Sequence, residues 1–389
     1  MTIKIEQPYS LGARWIHTML ADPLENHWVN CADGRVDSIS SKPAHSAAQH
    51  LGEHSVILPA AINAHAHLEL SQLNAPFDVP SRSMSDWVTA LMTFRRSAEY
   101  DAAKGIQQAL CLPELLKSTA AVADIVPAIY GCRESNEAEL LDQTRVPAKL
   151  SSLKHIPFIE LIAWQKDAAE KLNYGIVHTG VLAKLFGLSP HAPHTVCPEL
   201  LENAIKQKVP LAMHLAETPE ELHLLQHHAG PLLDMMRRAD PDYQPISVLL
   251  GKRPMDYLQL LSAAPKAFII HGNYLDEEEL RFLAGHCETM SVVYCPRSHA
   301  YFRHTSYPLK KMLDYGVRVL LGTDSLASVP NLCFAEEMRF AVEQHPSVPP
   351  EMIYRLGTIE GAAAFDLLSE GWGTLQADSS AQLLTYSVR

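Results

Sequence analysis

Six residues of this chain could do chemistry together if the fold collected them: His65, His67, His214, Glu217, His271 and Asp324. His65 and His67 close the string Asn63-Ala64-His65-Ala66-His67, and on an extended strand residues two apart point to the same side. Two imidazoles converging in this way make half of a four-coordinate zinc site. An HxH pair alone is weak, because unrelated polar histidines produce it as often. A chain with 20 histidines also draws nothing from abundance. Position is more telling. His214-Leu215-Ala216-Glu217 follows one apolar run, His271-Gly272 ends another, and Gly322-Thr323-Asp324-Ser325 a third. A single histidine or aspartate at a strand end usually caps a loop, whereas several at the same kind of end point to a shared site.

The elements that must position these residues are read from periodicity. Apolar runs at residues 56–62, 120–126, 156–163, 181–188, 209–215, 267–271, 289–295 and 317–322 alternate with longer helical segments, which is the pattern of βαβ units. Eight such strands close a parallel barrel, and barrel active sites collect at the C-terminal strand ends. The expected fold class is therefore α/β, a (β/α)8 TIM barrel. Helix starts support it: Thr218-Pro219-Glu220-Glu221 offers an N-cap threonine, proline at the first helical position and a capping glutamate, and Asp276 with Glu279 repeats the spacing. A doubly wound open sheet would alternate similarly, but no strand-to-helix junction carries the glycine-rich dinucleotide fingerprint. Outside the barrel, Asp33-Gly34 marks a tight hairpin. After Gly371-Trp372-Gly373, a strand-like tail contains Leu383, Leu384, Tyr386 and Val388. The reading is a small β-sandwich-like domain built from residues 1–56 plus 370–389, with the barrel at 57–369.

Composition excludes several classes. The 389 residues are 47% hydrophobic and 20% charged, ordinary values for a chain that buries a large core. Net charge is −12 and no Lys/Arg run is dense enough to follow phosphates. A small-molecule substrate is expected and a nucleic-acid partner is not. Lys4, Glu6, Arg14 and His17 interrupt the first twenty residues, leaving neither a signal-peptide core nor a membrane span, so the reading is cytoplasmic with no membrane association. The seven cysteines are scattered without a CxxC pair and read as free thiols. Homo-oligomerisation is left open.

The strings around Leu58 to His67, the HxxE at His214 and Glu217, His271, and Gly322 to Ser325 resemble the deaminase and chlorohydrolase branch of the amidohydrolase superfamily, in the family's motif order and over nearly the whole chain. The resemblance implies one divalent metal, zinc in the first instance with iron(II) as the alternative, since both accept the same donors. It assigns His65, His67, His214 and Asp324 as ligands and places Glu217 and His271 beside the reacting water. Binuclear relatives carry a carboxylated lysine at the end of the fourth strand. Here that end reads Leu188-Ser189-Pro190-His191, and Lys184 lies too early, which favours a single metal.

In that setting Asp324 and His271 would orient water and take its proton, and Glu217 would pass a proton to a ring nitrogen of the substrate. Glu217, His271 and Asp324 are thus the catalytic candidates. The function implied is hydrolytic deamination of an amino-substituted N-heterocycle, with an adenine-type nucleoside such as aminodeoxyfutalosine preferred. Dechlorination of a triazine or opening of a cyclic amide would use the same metal and water, and a non-catalytic barrel scaffold is the reading from another class.

Substrate contacts are assigned to Glu69, His191 and Arg297. Glu69 and the Cys295-Pro296-Arg297-Ser298-His299 string resemble the aminodeoxyfutalosine deaminases, and His191 occupies the family's substrate-facing position. Arg297 is the first candidate for a bidentate pair with a substrate carboxylate, ahead of Arg82 and Arg133. His194 stands where many relatives have tyrosine, on a loop stiffened by two prolines, and is read as structural. Trp87, Leu91 and Phe94 share a helical face and are read as barrel packing.

Overall fold

The computed structural model describes residues 7–127, 153–164, 186–243 and 253–387. Arg133, Lys184 and the beginning of the expected strand at 181–188 lie outside the described residues.

The chain begins with strands β1 (Tyr9–Ile16), β2 (Leu24–Ala32), β3 (Arg35–Ser40), β4 (Ala47–His50) and β5 (Ser55–Pro59). Asp33 and Gly34 have φ of 50° and 74°, the left-handed pair that a two-residue hairpin needs, and Ala32 pairs with Arg35 across it. The terminal strand β14 (Leu383–Ser387) runs antiparallel to β5, with Leu384 opposite Leu58. These six strands form one sheet over a small core of Leu11, Ala13, Ile16, Val29, Cys31, Val36, Ile57 and Leu375.

The second sheet has eight parallel strands in strict chain order. They are β6 (Ala61–Ala66), β7 (Thr119–Pro127), β8 (Lys154–Leu161), β9 (Gly187–Pro190), β10 (Leu211–Leu215), β11 (Ala267–His271), β12 (Met290–Tyr294) and β13 (Val319–Leu321). Every residue of β10 to β13 is buried, because helices cover one face and the barrel interior the other, so the strands read as continuous apolar runs. Ile62, Ala64, Ala121, Phe158, Ala212, Phe268, Val293 and Leu320 pack together with Phe365 as one interior cluster.

The apolar run at 56–62 is divided between two sheets. Residues to Pro59 belong to the small sheet and Ala61 opens the barrel, so the changeover falls at Ala60. Both stretches are fully buried, and hydrophobicity alone cannot show which sheet each joins.

The barrel seam, between β13 and β6, is where two expected site residues meet. The backbone N–H groups of Thr323 and Asp324 donate to the His65 carbonyl at 3.0 and 3.1 Å. Asn63 brackets Thr323, donating to its hydroxyl at 2.8 Å and accepting from its N–H at 3.1 Å. A Cβ on Gly322 would lie 2.9 Å from His65 Cβ, so only glycine lets the strands approach this closely.

Candidate metal centre and cavity

Local backbone distortions turn the site residues inward. Ile62 and Ala64 face the interior cluster, which by simple alternation would send His65 and His67 outward. The register with β7 shifts between Asn63 and Ala66, and beyond the shift both histidines reach the site. Three other strand ends carry left-handed residues other than glycine: Ala216 with φ 53°, His271 with 68° and Asp324 with 64°. Such conformations are disfavoured for L-residues and recur where a fold must aim a functional group.

The donor atoms of His65, His67 and His214 all lie within 4.8 Å of one another. His67 Nε2 and His214 Nε2 are 3.3 Å apart, and Asp324 Oδ1 is 3.8 Å from His65 Nε2. His214 Nδ1 donates to the His191 carbonyl at 3.0 Å, because a carbonyl can only accept, and its Nε2 is therefore a bare lone pair. His65 is fully buried, and neither ring nitrogen has a partner among the described residues. Burial, with the neighbouring imidazoles, holds His65 and His67 well below the usual histidine range, and burial pulls His214 down to about 4. Neutral imidazoles are the ligand form. Two metal–nitrogen bonds of about 2.0–2.1 Å at a tetrahedral angle place their nitrogens roughly 3.3 Å apart, so the pair at 3.3 Å fits a shared cation. The residues present fit a divalent metal.

Asp324 is aimed by two hydroxyls. Ser298 and Ser328 donate to its Oδ2 at 2.6 and 2.9 Å, leaving Oδ1 towards His65. Burial pushes its carboxyl up to about 6, and these hydrogen bonds pull the other way. Ser298 was discoverable only as the polar residue next to Arg297, and Ser328 as a hydroxyl four residues after Asp324.

Glu217 and His271 sit together, with Glu217 Oε1 3.4 Å from His271 Nε2. Burial, then the charge of Asp324, raises the Glu217 carboxyl well above the ordinary range, and burial lowers His271 well below its own. The glutamate that reads as a helix cap has a further use. Glu221 accepts from the N–H groups of Ala216 and Glu217 at 3.0 and 2.8 Å, and Asn273 donates to the Glu217 carbonyl at 2.9 Å. The backbone carrying Glu217 is thereby fixed independently of its side chain.

These groups open onto a cavity of about 240 Å³ whose walls include Trp87, Leu91, Met92, Trp164, Met236 and Phe302. His191, His194, Thr195, Glu160 and Arg95 contribute its polar side. Trp87 and Leu91, read as barrel packing, line the cavity, whereas Phe94 stacks edge-on with Phe77 and Tyr100. His194 lines it as well.

Two residues assigned to the substrate lie outside the cavity wall. Glu69 is fully buried and bound to Arg95 rather than exposed to the cavity. Arg297 is not in the cavity wall. Its guanidinium is consumed by Glu337, by Glu336 at 3.2 Å and by the side chain and carbonyl of Asn331, both at 2.9 Å. Arg82 is also absent from the cavity wall and stacks 4.1 Å over the Tyr301 ring. The cavity arginine is Arg95, which sequence reasoning missed although it lies four residues after Leu91 and eight after Trp87, on one helical face. Replacing Arg297 by alanine is expected to cost about 3 kcal/mol of stability, because Glu337 would be left buried without its cation. KM should not change. Thermal denaturation with parallel kinetics checks this, and a raised KM at unchanged Tm would return Arg297 to substrate binding.

A parallel barrel with three histidines and an aspartate gathered at its C-terminal strand ends has the architecture of a divalent-metal hydrolase. The chain belongs to the amidohydrolase family, whose profile matches residues 56–384. It is 26% identical over 356 residues to the aminodeoxyfutalosine deaminase of Deinococcus radiodurans, covering 83% of this chain and 76% of that one. It is 27% identical over 400 residues to the 5'-deoxyadenosine deaminase of Methanosarcina barkeri, covering 96% and 83%. In three dimensions it resembles the Helicobacter pylori aminofutalosine deaminase crystallised with methylthio-coformycin, with a TM-score of 0.74, 22% identity and coverage of 98% and 92%. That last likeness supports the fold. Among the described residues, no helix is long and apolar enough to cross a membrane.

Proposed function

We propose that this protein is a mononuclear zinc deaminase acting on an adenine-type nucleoside, aminodeoxyfutalosine being the first candidate, with His65, His67, His214 and Asp324 as metal ligands. The observation that carries the reading is the adjacency of Glu217 and His271, 3.4 Å apart, to the His–Asp cluster at one end of a largely apolar cavity. The named relatives, all nucleoside deaminases, point the same way. Iron(II) is the alternative metal.

A divalent ion held there supplies Lewis acidity and brings the acidity of water near neutrality. The residues supply the rest. Glu217, whose carboxyl burial raises well above the ordinary range, donates to the ring nitrogen beside the amino-bearing carbon. Water's oxygen bonds to that carbon while Asp324 and His271 take one of its protons; that proton passes to the leaving nitrogen, the C–N bond breaks and ammonia departs, and the remaining hydroxyl proton returns to Glu217 as the carbonyl forms. His191, its Nδ1 2.9 Å from Thr195 Oγ1, is held at the cavity wall as a substrate contact. A cytoplasmic location is part of the proposal, supported by six described cysteines that are all unpaired.

The test is ammonia release from adenosine, adenosylhomocysteine, methylthioadenosine and aminodeoxyfutalosine by metal-loaded enzyme, with chloride release from a chlorotriazine and cyclic-amide opening in parallel. Ammonia from at least one nucleoside is expected. Chloride release or ring opening without it would move the function to the other hydrolytic reactions of the same site.

A further inference from the structure

One carboxylate in the cavity takes no part in the proton transfers. Glu160, in β8, is 4% exposed and lines the cavity wall. Its Oε2 faces Arg95 Nη2 at 3.6 Å, and Arg95 is tied to the fully buried Glu69. One guanidinium between two carboxylates leaves no net positive charge for an anion. Glu160 Oε1 has no hydrogen-bond partner among the described residues, and it faces His191 Nε2 at 3.9 Å, beyond hydrogen-bonding reach. His191 Nδ1 lies 2.9 Å from the Thr195 hydroxyl, which anchors the ring at the cavity wall. No hydrogen bond spans the two side chains, so a buried carboxylate oxygen is left at the cavity wall without a donor among the described residues. Leaving a buried carboxylate oxygen in that state is costly unless a donor arrives with the ligand.

We propose that Glu160 is a specificity-determining residue that accepts a hydrogen bond from a sugar hydroxyl of the substrate, with Arg95 and Glu69 as positioning residues that hold its carboxylate. The inference rests on the nucleoside reading above. An adenine substituted on its glycosidic nitrogen has one donor group, the amino group that is lost, so the donor for Glu160 must come from the sugar. An arginine–carboxylate network fixed before binding supplies that acceptor without reorganisation.

The experiment compares kcat/KM for adenosine and methylthioadenosine, each with its 2'-deoxy and 3'-deoxy counterpart, in metal-loaded wild type, Glu160→Ala and Glu160→Gln. Wild type should discriminate against one deoxy counterpart by on the order of 10- to 100-fold. In Glu160→Ala the parent should lose a comparable factor and the discrimination should collapse. Glu160→Gln, which keeps a neutral acceptor oxygen, should show an intermediate ratio. Because each ratio compares two substrates in one preparation, partial misfolding or metal loss cancels. An unchanged ratio in either variant, or a wild type indifferent to both deoxy sugars, overturns the assignment of Glu160 while leaving the nucleoside reading intact. A wild type that releases ammonia from neither parent, and from neither adenosylhomocysteine nor aminodeoxyfutalosine, overturns both.

Discussion

Glu217→Gln is expected to retain the metal and lower kcat by on the order of 10³-fold. Glutamine keeps the volume of the side chain and can still meet His271, which lies 3.4 Å from Glu217 Oε1. The backbone at this position would not move, because Glu221 and Asn273 hold it through the Glu217 N–H and carbonyl rather than through its side chain. What the amide cannot do is give up a proton to a ring nitrogen. Burial and the nearby Asp324 charge raise the native carboxyl well above the ordinary carboxylate range and so favour its acid form, and its loss removes the acid and little else. Elemental analysis and single-turnover ammonia release check both halves. Activity within tenfold of wild type would remove Glu217 from the chemistry.

The second large effect is expected at the ligands. His214→Ala should abolish metal retention and reduce ammonia release to background. The reason lies in the nitrogen pair at the centre: His67 Nε2 and His214 Nε2 lie 3.3 Å apart, and with its proton committed to the His191 carbonyl His214 presents a lone pair there. Chelation should also lower the Tm of the wild type by several degrees. A ligand present at a thousandfold excess over its Kd contributes about 4 kcal/mol to the folded state. The alanine variant has lost that linkage, and its Tm should not respond to chelator. Equal sensitivity of both proteins would place the metal elsewhere.

Much of this architecture is legible in the chain. Strand ends at His214, His271 and Asp324 stand out because continuous apolar runs stop at polar residues, and a buried parallel strand leaves no other pattern. Tertiary contacts hid the rest. Glu69 was recognisable as unusual, but its partner Arg95 is 26 residues away and Glu160 a further 65, so only folding shows that the three carry one charge network. Arg297 reads as a substrate partner from the string around it, whereas Glu337, forty residues on, captures it. The register shift between Asn63 and Ala66 is equally silent, although without it the HxH pair would face away from the site.

The most direct measurement is a titration of metal-free protein with zinc while ammonia release from the best nucleoside substrate is followed. Activity should rise linearly and level off at one equivalent per chain. Saturation at two equivalents, or no ammonia at any loading, would contradict a single-metal deaminase site.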